Sequence, residues 1–205
     1  MEQEFTSTLL ENAVTALSRL PGVGRKTAMR FALHLLRRPQ DEAMTLGQAI
    51  IDLRTGIRYC RVCHNISETD LCPICASPRR NPALVCVVEN VRDVMSIENT
   101  RQFDGLYHVL GGLVSPVDGI GPDMLEINSL ADRVRAGGIS EIILATGATV
   151  EADTTNYYIY RLLSRIAPDI RITQLARGVS VGDEIGYTDE ITLARSITAR
   201  TPFEL

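Results

Sequence analysis

Residues 60–75 of the chain read CRVCHNISETDLCPIC and contain four of its five cysteines. These cysteines form two Cys-x2-Cys pairs with eight residues between them, a spacing that lets two short knuckles present four thiolates to one tetrahedral ion. Four thiolates leave no open coordination position, so we expect one structural Zn²⁺ per chain. The alternatives are a redox pair or coincidental thiols, and His64 is a further candidate ligand. The expected ligands are Cys60, Cys63, Cys72 and Cys75.

The sequence before the cysteines predicts three helices. Apolar residues recur at helical spacing over residues 7–20 and 25–38, and a third helical stretch covers residues 41–57. Residues 20–24 read LPGVG, and this proline and glycine break separates the first two helices. The N-terminal region is therefore predicted to be a helical hairpin followed by a third helix.

The turn of this hairpin has the features of a phosphate-binding site. Gly22 and Gly24 allow a close approach, and the N–H groups at the start of the second helix point outward beside Arg25 and Lys26. The arrangement is typical of a helix-hairpin-helix motif, which grips the nucleic-acid backbone without reading bases. The alternative is a plain interhelical turn in which the glycines only cap the helices. A nucleotide-binding P-loop does not fit, because Arg19 stands where its first glycine belongs and Arg25 where its lysine belongs.

The sequence after the cysteines alternates between short apolar runs and helical segments, which predicts a parallel α/β sheet. The apolar runs are LVCVVE (84–89), LYHVLGG (106–112), EIILAT (141–146) and ITQLA (172–176). The helical segments are 91–99, 124–136 and 154–166. Cys86 is expected in the core of this sheet, and His34 and His108 are expected to be ordinary core or surface histidines.

The fold class that follows is a multi-module α+α/β protein. The predicted modules are a helix-hairpin-helix bundle (1–56), a four-cysteine zinc finger (57–80), a parallel-sheet α/β domain (81–176) and a C-terminal segment (177–205) that contains a helix, ITLARSITAR. Two prolines within residues 77–82 mark the start of the sheet domain.

Charge is distributed unevenly along the chain, which has a net charge of −4. Residues 1–80 carry 11 Arg and Lys against eight Asp and Glu, whereas residues 81–205 carry 10 against 17. Phosphate contacts are therefore expected in the first part. The N-terminus has no apolar signal-like run and no apolar stretch is long enough for a bilayer, so we expect a cytosolic protein without a membrane partner.

Three carboxylates are expected at the carboxyl edge of the sheet, where parallel α/β folds carry their sites. Glu89 ends the first predicted strand, and Glu151 and Asp153 follow the strand at 141–146. One hypothesis is a magnesium site. A second interpretation is that they are solvated loop carboxylates. The interpretation that we favour is an acidic surface for a basic protein partner.

This region resembles the Toprim domain of topoisomerases and primases, which has a glutamate at the end of its first strand and an Asp-x-Asp pair after a later one. Glu89 matches the glutamate, but Gly147 and Thr149 stand at the Asp-x-Asp positions. Without those two carboxylates the usual metal cradle is incomplete, so we expect no enzymatic activity. The alternative is a magnesium-dependent Toprim nuclease or nicking enzyme.

Taken in order, five parts of the sequence resemble the RecR family over nearly the whole chain. They are LPGVGRKTAMRFALHLL, the pair CRVC and CPIC followed by SPRR, VCVVE, ILATGATVEADTTNYYIYRLL, and QLARGVSVGDEIGYTDEITLARSI. The resemblance implies a recombination mediator in DNA repair, located in the cytoplasm at the nucleoid. RecR proteins form rings, commonly tetramers, that encircle or clamp DNA. With RecO and RecF they load RecA onto gapped DNA coated by the single-strand binding protein.

The resemblance also implies roles for particular residues. The implied phosphate contacts are Arg25, Lys26 and Arg30. The implied RecO-binding surface comprises Glu89, Glu151 and Asp153. The Walker B-like segment from Ala176 to Leu193 is implied to make ring contacts and to have no nucleotide chemistry.

Overall fold

The computed structural model describes residues 7–179 and 182–202. The chain divides into two compact units, residues 1–57 and residues 58–205. The cysteine module and the sheet thus lie in one unit, and the N-terminal helices form the other. Residues 1–6 of the predicted hairpin bundle, and residues 180–181 and 203–205 of the predicted C-terminal segment, lie outside the described residues.

The N-terminal unit contains the three predicted helices: α1 (Thr8–Leu17), α2 (Arg25–Leu36) and α3 (Gln40–Gly56). Its small core comprises Val14, Ala28 and Ala32, whose short side chains let the first two helices approach closely. Helix α1 ends three residues before the predicted end, because residues 18–20 already belong to the turn that leads into Pro21. The described side chains of α3 include no buried residue.

The second unit begins with the cysteine module. A short antiparallel pair, β1 (Arg58–Tyr59) and β2 (Ile66–Ser67), flanks the first knuckle. The one-turn helix α4 (Pro73–Ala76) contains part of the second. These elements are too short to bury much apolar surface, so their stability depends on the cysteine cluster and on the neighbouring sheet.

The sheet has four parallel strands in the order β4-β3-β5-β6, which confirms the predicted parallel architecture. The strands are β3 (Asn81–Val88), β4 (Gly105–Val109), β5 (Glu141–Leu144) and β6 (Arg171–Gln174). The intervening helices are α5 (Val91–Thr100), α6 (Ile127–Arg135) and α7 (Val150–Ile166). Helix α7 begins four residues before the predicted start, because the Thr149 hydroxyl accepts a hydrogen bond from the Ala152 N–H at 3.2 Å and caps the helix.

The second half of strand β3, residues 85–88, is buried on both faces, which explains why its sequence is apolar without interruption. Val85 and Val87 face the core formed with α6 and α7, and Cys86 and Val88 face the core that contains Val94 of α5. The expected core position of Cys86 is confirmed. His108 is also in the core, where burial lowers its pKa to about 3.

The part of the C-terminal segment that the structure describes contains helix α8 (Glu190–Thr198), close to the predicted one, after a short 3-10 turn at Ile185–Tyr187. Among the helices of residues 7–179 and 182–202, none combines the length and the apolar character required to cross a membrane.

Candidate functional site

The hairpin turn is a type II turn. The Val23 N–H donates to the Leu20 carbonyl at 3.0 Å, Pro21 occupies the second position, and Gly22 has a φ of +76° at the third. Proline fixes the first central φ and glycine accepts the positive one, so the sequence LPGV selects this turn. Gly24, which follows this turn directly, is the N-cap of α2.

The start of α2 presents backbone donors and positive charge together. Gly24 has no side chain to cap the helix, and the first turn contains no acidic residue. The first N–H groups of a helix have no intrahelical partner and lie at the positive end of the helix dipole, so the start of α2 favours a bound anion. Lys26 is exposed and forms no ion pair with any residue of the described ranges. A Cβ added at Gly22 or Gly24 would meet no atom within 4 Å, so a ligand can approach both glycines closely.

A basic face continues along α2 beyond the residues that the sequence indicated. Lys26, Arg30, His34 and Arg37 line one shallow groove on this helix. The Arg30 guanidinium carbon lies 5.8 Å from the centroid of the Phe31 ring, a cation–π contact that orients the side chain. His34 and Arg37 were not among the predicted contacts. Their positions eight and eleven residues after Lys26 could have indicated them, since these spacings return to the same helix face.

The four cysteines of the second unit converge as predicted. Their Sγ atoms all lie within 4.8 Å of one another, and the Sγ atoms of Cys63 and Cys72 are 3.6 Å apart. The first knuckle is closed by the His64 N–H, which donates to the Cys60 carbonyl at 2.9 Å. In the second knuckle the Cys75 N–H points at Cys72 Sγ at 3.4 Å. N–H groups directed at cysteine sulfur are typical of knuckles that bind zinc as thiolates.

Ionisation of all four thiols requires a cation. Burial alone would raise the pKa of Cys60, but N–H groups of Cys72, Val62 and Cys63 lower it to about 6. A hydrogen bond with Cys75, followed by burial, raises the pKa of Cys63, and burial raises that of Cys72 to about 11. Thiols this close do not all ionise at neutral pH without a compensating charge. The cluster therefore fits one structural Zn²⁺, as the spacing predicted.

His64 does not belong to this cluster. Its Nε2 lies 2.9 Å from the Ser129 Oγ and 3.6 Å from Glu126 Oε2, so the ring binds to α6 and its neighbourhood. The four cysteines form a complete ligand set without it. The imidazole instead contributes to the attachment of the first knuckle to helix α6.

The predicted carboxylates lie after adjacent strands but in different surroundings. Glu89 follows β3 and is half-buried; burial, and then the charge of Asp93, raise its pKa. Glu151 is exposed in the first turn of α7, which follows β5. Asp153, two residues further, forms ion pairs with Arg177 Nη2 at 2.7 Å and with Arg195 Nη2 at 3.2 Å, and the second contact is also a hydrogen bond.

The positions of the missing Asp-x-Asp pair have other structural roles. The Thr149 hydroxyl caps α7, and the Gly147 carbonyl accepts a hydrogen bond from Arg177 Nη2 at 3.3 Å. Among residues 7–179 and 182–202, the cysteines are the one group of three or more potential metal ligands close enough to share an ion. Arg177, which sequence reasoning missed, thus joins the carboxyl edge to the C-terminal segment.

Four family models match consecutive parts of the chain. The model described as "RecR, helix-hairpin-helix" matches residues 10–54, and the model of the RecR zinc finger domain with four cysteines matches residues 57–77. "Toprim domain" matches residues 83–176, and "RecR, C-terminal" matches residues 178–201.

Curated proteins named "Recombination protein RecR" are similar to the chain over its full length. The protein of Bacteroides fragilis is 58% identical over 203 residues, which cover 99% of this chain and 98% of the relative. That of Parabacteroides distasonis is 58% identical over 205 residues, covering 100% and 98%. That of Flavobacterium johnsoniae is 52% identical over 201 residues, covering 98% and 97%.

Proposed function

Because the chain belongs to the RecR family of recombination proteins, we propose that it is a non-catalytic DNA-binding mediator that acts as a ring of four copies. In this role it works with RecO and RecF, in the cytoplasm at the nucleoid, to load RecA onto gapped DNA coated by the single-strand binding protein. The observation that carries the proposal is the uncapped start of α2 with Lys26 beside it.

The hairpin contacts the DNA backbone and not the bases. Open backbone N–H groups at a helix N-terminus bind phosphate oxygens, and the cations of the basic face of α2 add Coulomb attraction. Such contacts carry no sequence information, so unrelated DNA sequences are bound alike. Gly22, Gly24, Arg25, Lys26 and Arg30 are the residues assigned to this contact.

Fluorescence anisotropy with two labelled single strands of unrelated sequence tests this assignment. Lys26→Ala is expected to weaken both complexes by the same factor, about tenfold, the value of one hydrogen bond between charged groups. The control is Arg38→Ala, which also removes one positive charge from the N-terminal unit. The Arg38 guanidinium already forms an ion pair with the Glu42 carboxylate at 3.8 Å. Equal losses in both variants, or a loss confined to one DNA sequence, would contradict a localised backbone grip.

The absence of catalysis is supported by the carboxyl edge. Gly147 and Thr149 offer no carboxylate, and Asp153 is neutralised by two arginines. A phosphoryl-transfer site needs metal-bound carboxylates to stabilise developing charge. We therefore expect gapped and supercoiled DNA to stay intact after incubation with Mg²⁺ and with Mn²⁺. Metal-dependent cleavage that Glu89→Gln abolishes would instead establish a Toprim nuclease.

Ring formation is supported by apolar side chains that the chain leaves exposed. Helix α3 exposes 60% of Ile50 and 63% of Leu53, and the C-terminal segment exposes 87% of Tyr187 and 67% of Ile191. Exposed apolar surface on each of the two units fits an oligomer that closes through two kinds of contact. Sedimentation velocity should give four copies for the wild type, and a dimer for Leu53→Asp. A monomeric wild type at micromolar concentration would contradict the ring.

We assign the binding surface for RecO to the carboxyl edge of the sheet. Glu151 is the exposed member of the three carboxylates, and Glu89 follows β3, the strand that pairs with β5. A basic partner surface would be steered by these charges. Glu151→Ala should weaken RecO binding in calorimetry and slow RecA loading onto coated gapped DNA. Asp104→Asn, an exposed change at the opposite end of the sheet, should affect neither. If both variants bind RecO like the wild type, this assignment is wrong.

A further inference from the structure

Arg133 is a half-buried arginine whose position is not explained by any carboxylate. It lies on α6, and its Nη1 donates to the Tyr107 carbonyl of β4 at 2.7 Å. Within residues 58–179 and 182–202 it forms no ion pair with an acidic side chain. Enclosing a guanidinium without a compensating anion is costly, so its surroundings should supply one.

Strand β4 and helix α6 also contact the cysteine module. The Val109 N–H of β4 donates to the Cys63 carbonyl at 2.8 Å, and Ser129 of α6 contacts the His64 ring at 2.9 Å. Ile74, between the last two cysteines, packs against both the cysteine cluster and the sheet core around Tyr107. Tyr107 and Val109 are two residues apart on β4, so the carbonyl that binds Arg133 and the N–H that binds the Cys63 carbonyl point from the same edge of the strand. Arg133 therefore lies beside the contact that attaches the first knuckle to the sheet.

Electrostatics agrees with this placement. Burial lowers the pKa of Arg133, and the nearby thiols of Cys75, Cys63 and Cys60 oppose that effect. Four thiolates around Zn²⁺ leave the cluster with two negative charges in excess, in a module where three of the four cysteines are buried. A positive side chain close to such a cluster stabilises the thiolate forms that bind the metal.

We propose that Arg133 is the counter-charge of the zinc site, so that helix α6 of the sheet domain helps the cysteine module to retain its metal. Arg133 is not a ligand in this account. It acts through the thiolates, as a positioning residue whose charge reduces the cost of collecting four of them around the ion. Zinc affinity then depends on the attachment of the cysteine module to the sheet.

The test measures zinc retention in the full-length protein. Zinc-loaded wild type, Arg133→Gln, Arg133→Lys and Arg135→Gln are titrated with the chromophoric chelator 4-(2-pyridylazo)resorcinol, and bound zinc is counted by mass spectrometry. Glutamine keeps a donor for the Tyr107 carbonyl but removes the charge, whereas lysine keeps the charge. Arg135, two residues along the same helix, is exposed and pairs with Asp132, which makes it the matched control.

We expect Arg133→Gln to weaken zinc affinity by about 10- to 100-fold, the usual cost of losing a residue that supports metal ligands. Arg133→Lys should stay within about threefold of the wild type, since it keeps the charge, and Arg135→Gln should not differ. Equal affinity in wild type and Arg133→Gln would overturn the proposal. So would an equal loss in the glutamine and lysine variants, which would indicate a packing role. If Arg133→Gln is insoluble, the lysine variant still decides, because a tenfold loss there contradicts a role of charge.

Discussion

Replacing Arg80 should destabilise the second unit, and we predict a loss of about 3 kcal/mol for Arg80→Met. Arg80 Nη1 donates to Glu98 Oε1 at 2.9 Å, the Phe103 carbonyl at 3.0 Å and the Gly105 carbonyl at 3.3 Å, while Nη2 pairs with the second Glu98 oxygen. These contacts join the end of the cysteine module to α5 and to the start of β4.

The magnitude follows from burial. Removing one partner of a buried ion pair costs about 3–5 kcal/mol, because the remaining charge is left unpaired. The side chains of Arg80 and Glu98 are 18% and 28% exposed. Water can therefore solvate part of the Glu98 carboxylate once Arg80 is removed, and the lower end of that range applies. For a chain of this length, about 3 kcal/mol corresponds to a fall in Tm of roughly 6–12 °C.

Urea unfolding of the zinc-loaded protein measures this loss, with Arg79→Met as the matched control. Arg79 is the exposed neighbour, and the hydrogen bond that it forms, to the Ser77 hydroxyl, uses its backbone N–H. The control should therefore lie within about 0.5 kcal/mol of the wild type. A difference below about 1 kcal/mol between Arg80→Met and Arg79→Met would refute the structural role of the pair.

The same pair predicts a pH dependence. The hydrogen bond from Arg80 lowers the pKa of Glu98, and burial partly opposes it. A carboxyl with a lowered folded-state pKa contributes stability above its unfolded pKa of about 4.3 and loses it as the pH falls through the folded value. The stability difference between wild type and Glu98→Gln should thus be constant from neutral pH to about pH 5 and shrink below it. A difference that grows on acidification would contradict this assignment.

Three further predictions concern the core, the hairpin turn and the zinc site. Thr155→Val should cost about 1–3 kcal/mol in urea unfolding, because it leaves one buried backbone N–H without its acceptor, whereas the exposed Thr154→Val should cost far less. Gly22→Ala should lower the stability of the N-terminal unit by about 1–2 kcal/mol in thermal unfolding, because alanine is strained at a φ of +76°, and an unchanged transition would refute the turn type. Cys72→Ser should reduce bound zinc well below one per chain by mass spectrometry while Cys86→Ala keeps it, and equal zinc in both would be inconsistent with the four-cysteine site.

Those features that depend on local sequence patterns were predictable. The cysteine spacing indicates a metal cluster because ligand pairs two residues apart form knuckles by themselves. The alternation of apolar runs and helical segments indicates the parallel sheet, since each βαβ crossover is a local unit. The early start of α7 was missed although Thr149 is a good cap, because the preceding Gly147 and Ala148 read as loop.

Contacts between distant residues could not be predicted in the same way. The pairing of Arg80 with Glu98, and of Arg177 with Asp153, joins residues 18 and 24 positions apart, for which no periodicity gives a signal. Arg133 likewise reads as an ordinary exposed helix residue until β4 and the knuckles are placed beside it. Side chains of this kind depend on tertiary packing, which one sequence does not encode in its spacing.

The most direct test of the central claim is the salt dependence of binding to labelled gapped DNA, measured by anisotropy with Mg²⁺ present and followed by a gel for cleavage. For a grip on phosphates, the logarithm of the affinity of the wild type falls linearly with the logarithm of salt concentration, and the slope decreases by about one for each phosphate contact removed. We predict a smaller slope for Lys26→Ala, an unchanged slope for Arg38→Ala, and intact DNA throughout. Salt-independent binding, or a slope that Lys26→Ala leaves unchanged, would contradict the account.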